Sequence, residues 1–121
     1  QPKIFGTDYP TTDGTCIRDY IHVQDLAEAH VAAMDLVENA SPSFQALNLG
    51  TGHGTSVHEV IEVIREVTGK QINPELVERR AGDPPALVAD PRLAAEVLNW
   101  KARFNLTEMV ESAWSAWQST N

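Results

Sequence analysis

Several features that define common protein classes are scarce in this sequence of 121 residues. Its one cysteine, Cys16, excludes an internal disulfide, and the composition fits a reducing cytosol. No apolar run approaches the length of a membrane span and no signal-peptide pattern opens the chain, so we predict a cytoplasmic protein that does not bind membranes. Basic residues number 9 against 17 acidic ones, and the net charge of -8 argues against general binding to nucleic acid.

The remaining composition is that of an ordinary folded domain. Apolar residues make up 42% of the chain, which argues against disorder, and the length predicts a single domain over residues 1–121. Because the chain is acidic overall, an anionic small ligand would bind only where positive charge is concentrated locally. The few arginines are therefore the first candidates for ligand binding.

Strand-like and helix-like segments alternate along the chain, which predicts an α/β fold. Two of the predicted strand segments, at residues 21–23 and 46–49, are short and apolar and have no obvious pairing partners. We therefore expect them to belong to a larger sheet. The predicted strands are Lys3 to Phe5, Cys16 to Val23, Ala46 to Leu49 and Ile72 to Val77, the last being an edge strand because of Pro74.

Four helices are predicted from their start signals. The spacing of a capping box recurs in the sequence, and one Asp-Pro pair matches an N-cap followed by proline at the first helical position. The last helix carries an apolar stripe that we expect to be buried: Leu106, Met109, Val110, Ala113, Trp114 and Trp117. The predicted starts are Asp25 with Glu28, Ser56 with Glu59 (ending at Gly69), Asp90-Pro91, and Asn105 with Glu108.

Two arginines are candidate ligand-binding residues. Arg18 lies in a strand-like context, where it either forms a salt bridge to Asp19 or Asp25 or grips a diphosphate. Arg79 and Arg80 form the most basic position of the chain, within a predicted loop that extends to residue 87. That loop is either plain surface or a phosphate-binding loop.

Other motifs do not predict a complete site. The glycine-rich GTGHG at 50–54 lies between a predicted strand and a helix, but threonine stands where a dinucleotide fingerprint needs its third glycine, which favours a tight turn. The four histidines lack metal-ligand spacing. Tyr9 and Tyr20 have Asp13 and Gln24, not lysine, four residues downstream.

The strings IFGTDYPTTDGT, IRDYIHVQDLAEAH, LNLGTGHGTSVHEVI and ERRAGDPPALVADP resemble UDP-glucose 4-epimerases of the extended short-chain dehydrogenase/reductase family. The resemblance runs over nearly the whole chain. It implies the C-terminal, substrate-binding portion of such an enzyme, without most of the Rossmann domain. The dinucleotide fingerprint and the tyrosine-lysine pair would lie upstream.

The resemblance also implies roles for individual residues. Arg18 and Arg80 look like the two ligands of one diphosphate. Asp83 resembles the residue that holds the uridine ribose. Leu87 matches a position that influences the room around the sugar. The positions that line the uracil or nucleotide are Lys3, Ile4, Phe5 and Val57.

The family interconverts UDP-glucose and UDP-galactose, with NAD taking hydride from C4 of the hexose and returning it to the other face. We expect the full-length parent to hold NAD, and this chain alone to hold none and to be inactive, with no catalytic residue. Two alternatives stay open. The parent could act on UDP-glucuronate or UDP-N-acetylhexosamines, or the chain could be a non-catalytic nucleotide-binding module that associates with itself through an exposed sheet edge.

Overall fold

A computed structural model of the chain describes residues 1–39 and 44–120. Strands and helices alternate, as predicted, but most strands are very short. The helices are α1 (Val23–Asn39), α2 (Val57–Thr68), α3 (Arg92–Leu98) and α4 (Leu106–Thr120). The strands are β1 (Lys3–Phe5), β2 (Ile17–Arg18), β3 (Thr55–Ser56), β4 (Glu75–Val77) and β5 (Ala86–Leu87).

The strands form two small sheets. In one, β1 pairs in parallel with β4, so that Ile4 lies opposite Leu76. In the other, β2 is central, with β3 antiparallel on one side and β5 parallel on the other. Strand β4 is thus an edge strand, as predicted from Pro74, although it begins at Glu75 and not at residue 72.

Strand formation is the property that the sequence predicts least well here. The segment predicted as a strand over residues 16–23 is one only at Ile17–Arg18, and the predicted strand Ala46–Leu49 has no regular structure. Conversely, β5 forms inside the predicted loop, because Ile17 and Arg18 pair with Ala86 and Leu87. A strand needs a hydrogen-bonded neighbour, and apolar composition alone does not supply one. The expectation of a larger sheet stays a prediction.

The capping boxes of α2 and α4 are confirmed. Ser56 and Glu59 exchange side-chain to backbone hydrogen bonds at the start of α2, and Asn105 and Glu108 do the same before α4. Gly69 ends α2 in the left-handed conformation with φ of 65°. These signals work because all the groups involved lie within a few residues of one another.

The predicted caps of α1 and α3 need correction. Helix α1 begins at Val23, where the His22 ring accepts a hydrogen bond from the N–H of Gln24, and Asp25 lies inside the first turn. The Asp25 carboxylate instead accepts the backbone N–H groups of Arg103 and Phe104. Helix α3 begins one residue later than predicted, at Arg92, whose N–H is bonded to Asp90.

The core lies between α1 and α3. Ala29, Ala94 and Trp100 are its buried residues, and Leu47 and Leu49 of the irregular segment pack against them. Helix α4 packs on α2, but its apolar stripe is only half-buried and not buried as predicted. Trp117 is 51% exposed, and the stripe lines an open groove with Val60 and Ile64. No helix in the described ranges is both long and apolar enough to cross a bilayer.

Candidate functional site

The central strand β2 positions Arg18. Its neighbours hold the backbone on both sides, with Thr55 of β3 and Leu87 of β5 opposite the arginine. The Nη1 atom donates to the carbonyl oxygens of Ile17 at 2.8 Å and Pro84 at 2.9 Å. Because these bonds fix one edge of the guanidinium, the other edge is presented in a defined direction.

Arg80 reaches the same place from the loop before β5. Its Nε and Nη2 atoms both lie 2.9 Å from Oδ2 of Asp83, and its guanidinium stacks over the Phe5 ring at 4.6 Å from the centroid. The second carboxylate oxygen, Oδ1, lies 3.8 Å from Nη2 of Arg18. Arg18 and Arg80 therefore flank a single carboxylate, although they are far apart in the sequence.

The sequence left open whether Arg18 pairs with Asp19 or Asp25, and neither is its ion-pair partner in the described structure. The carboxylate within ion-pair distance is Asp83. Asp25 is fully buried beneath the segment that precedes α4, as described above. Arg79, the neighbour of Arg80, turns to Asp8 at 2.6 Å and covers the ring of Tyr9. Of the two adjacent arginines, Arg80 is thus the one that faces Asp83.

The remaining predicted residues lie at different distances from this cluster. Val57 is tied to the residue before β2 by its N–H, which donates to the carbonyl oxygen of Cys16. Leu87 is 62% exposed beside Arg18, where a ligand could touch it. Ile4 as a whole residue is only 1% exposed, so its side chain is closed to a ligand. Lys3 pairs with Glu75 at 3.1 Å on the outer strand pair.

A cleft of about 700 Å³ opens beside the cluster. It extends from Arg18 and Leu87 to the irregular segment at 47–49 and to the residues that follow β5. Its volume falls in the range of small-molecule sites. The cationic cluster thus adjoins a space into which a sugar could project.

Asp19 shapes this cleft, a role that the sequence did not predict. Its Oδ1 atom accepts the N–H and the hydroxyl of Thr51, and its Oδ2 atom accepts the N–H groups of Gly52 and Ala89. Gly50 is required there, because a Cβ would lie 2.6 Å from both the Ala89 Cβ and the Asp19 Oδ2. The available signal was an acidic residue after Arg18 together with a glycine-rich turn whose N–H groups need an acceptor.

The glycine-rich segment does not fit the pyrophosphate of a dinucleotide. Its Thr51 and Gly52 N–H groups donate to Asp19, and the His53 N–H donates to the Thr51 hydroxyl. Amide groups engaged in this way have no capacity left for phosphate oxygens. The segment is a tight turn before α2, and the Asp19 carboxylate holds it in place.

Burial changes the titration of one group near the cluster. Tyr9 is 5% exposed, and this burial raises the pKa of its phenol, with smaller contributions from Cys16 and then from the Asp83 carboxylate. A phenol is neutral at pH 7 even at its ordinary pKa of 10, so Tyr9 adds no negative charge beside the arginines. Over residues 1–39 and 44–120, no three His, Cys, Asp or Glu side chains group as metal ligands would.

Comparison with known proteins gives a consistent result. The family described as GDP-mannose 4,6 dehydratase matches residues 4–113. A curated UDP-glucose 4-epimerase of Rhizobium meliloti (strain 1021) is 50% identical over 117 residues, which is 97% of this chain and 35% of the relative. The chain thus spans about a third of the length of the curated relatives it matches.

Solved structures show the same fold. The UDP-glucose 4-epimerase of Stenotrophomonas maltophila, determined with bound NAD and formylated UDP-arabinopyranose, superposes with a TM-score of 0.91 at 45% identity, over 99% of this chain and 35% of that one. The enzyme of Bifidobacterium longum in complex with NAD+ and UDP gives a TM-score of 0.90 at 43% identity, over 98% and 35%. The backbone of this chain therefore follows part of a known architecture.

Proposed function

Because the chain belongs to the GDP-mannose 4,6-dehydratase family, we propose that it is the UDP-sugar-binding portion of a UDP-glucose 4-epimerase. The observation that carries this proposal is the approach of Arg18 and Arg80 to one carboxylate beside an open cleft. Two guanidinium groups that share one anion are arranged as a diphosphate requires, since guanidinium binds phosphate oxygens through paired N–H donors. Similarity to UDP-glucose 4-epimerases over nearly the whole chain supports the uridine part.

In the proposed complex Arg18 and Arg80 hold the diphosphate, and Asp83 accepts a hydrogen bond from a ribose hydroxyl. Phe5 and Val57 line the nucleotide, with backbone groups of Lys3 and Ile4 next to the base. Leu87 and the far side of the cleft face the hexose. The substrates of the whole enzyme would be UDP-glucose and UDP-galactose.

NAD belongs to the proposed whole enzyme, to which it supplies hydride transfer at C4 of the sugar. The glycine-rich segment of this chain does not fit NAD, as argued above, and neither tyrosine has a lysine four residues downstream. We therefore propose that this chain binds the sugar nucleotide without converting it. Incubation of the chain with NAD and UDP-galactose should yield no UDP-glucose, and clear product formation would contradict this part of the proposal.

Binding of UDP to the isolated chain tests the proposal directly. Isothermal titration calorimetry should detect binding to the wild type. Arg18→Ala and Arg80→Ala should each weaken it by about 1.5–3 kcal/mol, the range for a lost hydrogen bond to a charged group. Lys101→Ala removes an exposed positive charge outside the cluster and controls for the overall field. Unchanged affinity in both arginine variants would refute the proposed role.

A further inference from the structure

The hydrogen-bond acceptor between Arg18 and Arg80 is a carboxylate of the protein itself, that of Asp83. Asp83 contacts Arg80 through Oδ2 and lies 3.8 Å from Arg18 through Oδ1. Its side chain is 24% exposed and that of Arg18 is 23% exposed, so the pair is partly shielded from water. A carboxylate thus takes the position between the cations that a phosphate group would need.

We propose that Asp83 is an internal counter-ion which an entering diphosphate displaces from Arg18 and Arg80, and that this displacement makes the site prefer nucleoside diphosphates over bare pyrophosphate. The inference rests on the proposed function and deepens it. Anionic ligand and carboxylate carry charge of the same sign, so both cannot remain between the same guanidinium groups without repulsion. The carboxylate must move, or the diphosphate binds more weakly.

Each arginine has a further contact besides Asp83. Arg18 is held by the carbonyl oxygens of Ile17 and Pro84, and Arg80 lies over the Phe5 ring. Asp83 itself follows Gly82, which has φ of 85° and open space where a Cβ would point. The loop therefore leaves open space at Gly82, directly before the residue whose carboxylate has to move.

A displaced carboxylate loses two charged contacts and needs new hydrogen-bond donors. A nucleoside offers hydroxyl groups, which donate well to a carboxylate, whereas inorganic pyrophosphate at neutral pH offers few. The cost of displacement is thus offset for UDP and not for pyrophosphate. The preference for UDP over pyrophosphate therefore arises from the Asp83 carboxylate as well as from contacts to the base.

The test compares two dissociation constants, for UDP and for inorganic pyrophosphate, by calorimetry on the whole chain. In Asp83→Asn, pyrophosphate should bind about threefold to fivefold more tightly, the range for loss of one partly exposed competing ion pair. UDP should gain nothing or bind more weakly, so that its advantage over pyrophosphate falls by at least about threefold. Asparagine keeps an oxygen acceptor for Arg80. Asp83→Ser is the second variant if the first does not fold.

Asp8→Asn is the matched control, because it frees Arg79, the neighbour of Arg80, from a carboxylate without touching the cluster. Its ratio of dissociation constants should equal that of the wild type. An unchanged ratio in Asp83→Asn, or the same change in Asp8→Asn, would overturn the inference while leaving UDP binding intact. Absence of UDP binding to the wild type would instead overturn the proposed function, and the inference with it.

Discussion

At the scale of single residues, Asp25 connects the first turn of α1 to the segment before α4. It is fully buried, and its Oδ2 atom accepts the N–H groups of Arg103 and Phe104, 78 and 79 residues further along the chain. The same carboxylate lies 3.8 Å from the Arg103 guanidinium. A buried charge of this kind is stable only with such partners.

Replacing Asp25 by alanine should therefore be costly. Asp25→Ala leaves two backbone N–H groups without acceptors and should lower the free energy of unfolding by about 3 kcal/mol, measured by urea denaturation. Glu28→Gln is the control, because Glu28 pairs with the same Arg103 but is 41% exposed. That change should cost less than about 1 kcal/mol. Equal effects of the two substitutions would show that Asp25 is not the anchor.

Asp13 gives a prediction about pH. Partial burial works against its ionised form, but hydrogen bonds from Ser56 and Thr15 outweigh this and hold the pKa of its carboxyl below the usual 3.8. The folded state thus binds the proton more weakly than the unfolded state, so the stabilisation is present above pH 3.8 and is lost as the pH falls below it. Between pH 5 and pH 3, the wild type should lose more unfolding free energy than Asp13→Asn. Parallel pH profiles of the two proteins would contradict this.

At the scale of elements, the β3–α2 junction connects local capping to the site. Ser56 caps α2, its hydroxyl also bonds Asp13, and its backbone pairs with Ile17 next to Arg18. Ser56→Ala should lower the free energy of unfolding by about 1 kcal/mol, as for a lost N-cap, and should speed amide exchange in the first turn of α2. Exchange rates in that turn equal to those of the wild type would argue against the cap.

The elements also show which parts of the fold the sequence could predict. The caps of α2 and α4 and the glycine exit of α2 depend on residues a few positions apart, and they were predicted correctly. Asp25 carries the same local signal, but distant N–H groups bind its carboxylate. Strand β5 and the irregular segment at 46–49 depend on pairing across the chain, which composition does not encode.

The candidate site likewise has features that the sequence predicted and features that it did not. The motifs around Arg18 and Arg80 were recognisable one by one, and their approach to each other is a tertiary property. The role of Asp19 was not predicted, since it depends on four donors from two other segments. Which arginine of the adjacent pair faces Asp83 follows from the contact of Arg79 with Asp8.

At the scale of the whole molecule, a large apolar surface is exposed. One face of α1 presents Val23, Val31, Met34 and Val37, each more than half exposed, and α4 presents Trp117. Patches of this kind on a small domain favour association. We predict that the chain, of 13.3 kDa, forms concentration-dependent oligomers, which light scattering would detect. A strictly monomeric mass over a wide range of concentration would contradict this prediction.

The central claim is that two distant arginines hold one diphosphate, and a double-mutant cycle for UDP binding tests it most directly. Calorimetry on the wild type, Arg18→Ala, Arg80→Ala and the double variant gives the coupling between the two side chains. Because both would contact the same ligand group and the same Asp83, we predict a coupling of about 0.5–3 kcal/mol. Losses of affinity that simply add, or variants that bind UDP as the wild type does, would contradict the account.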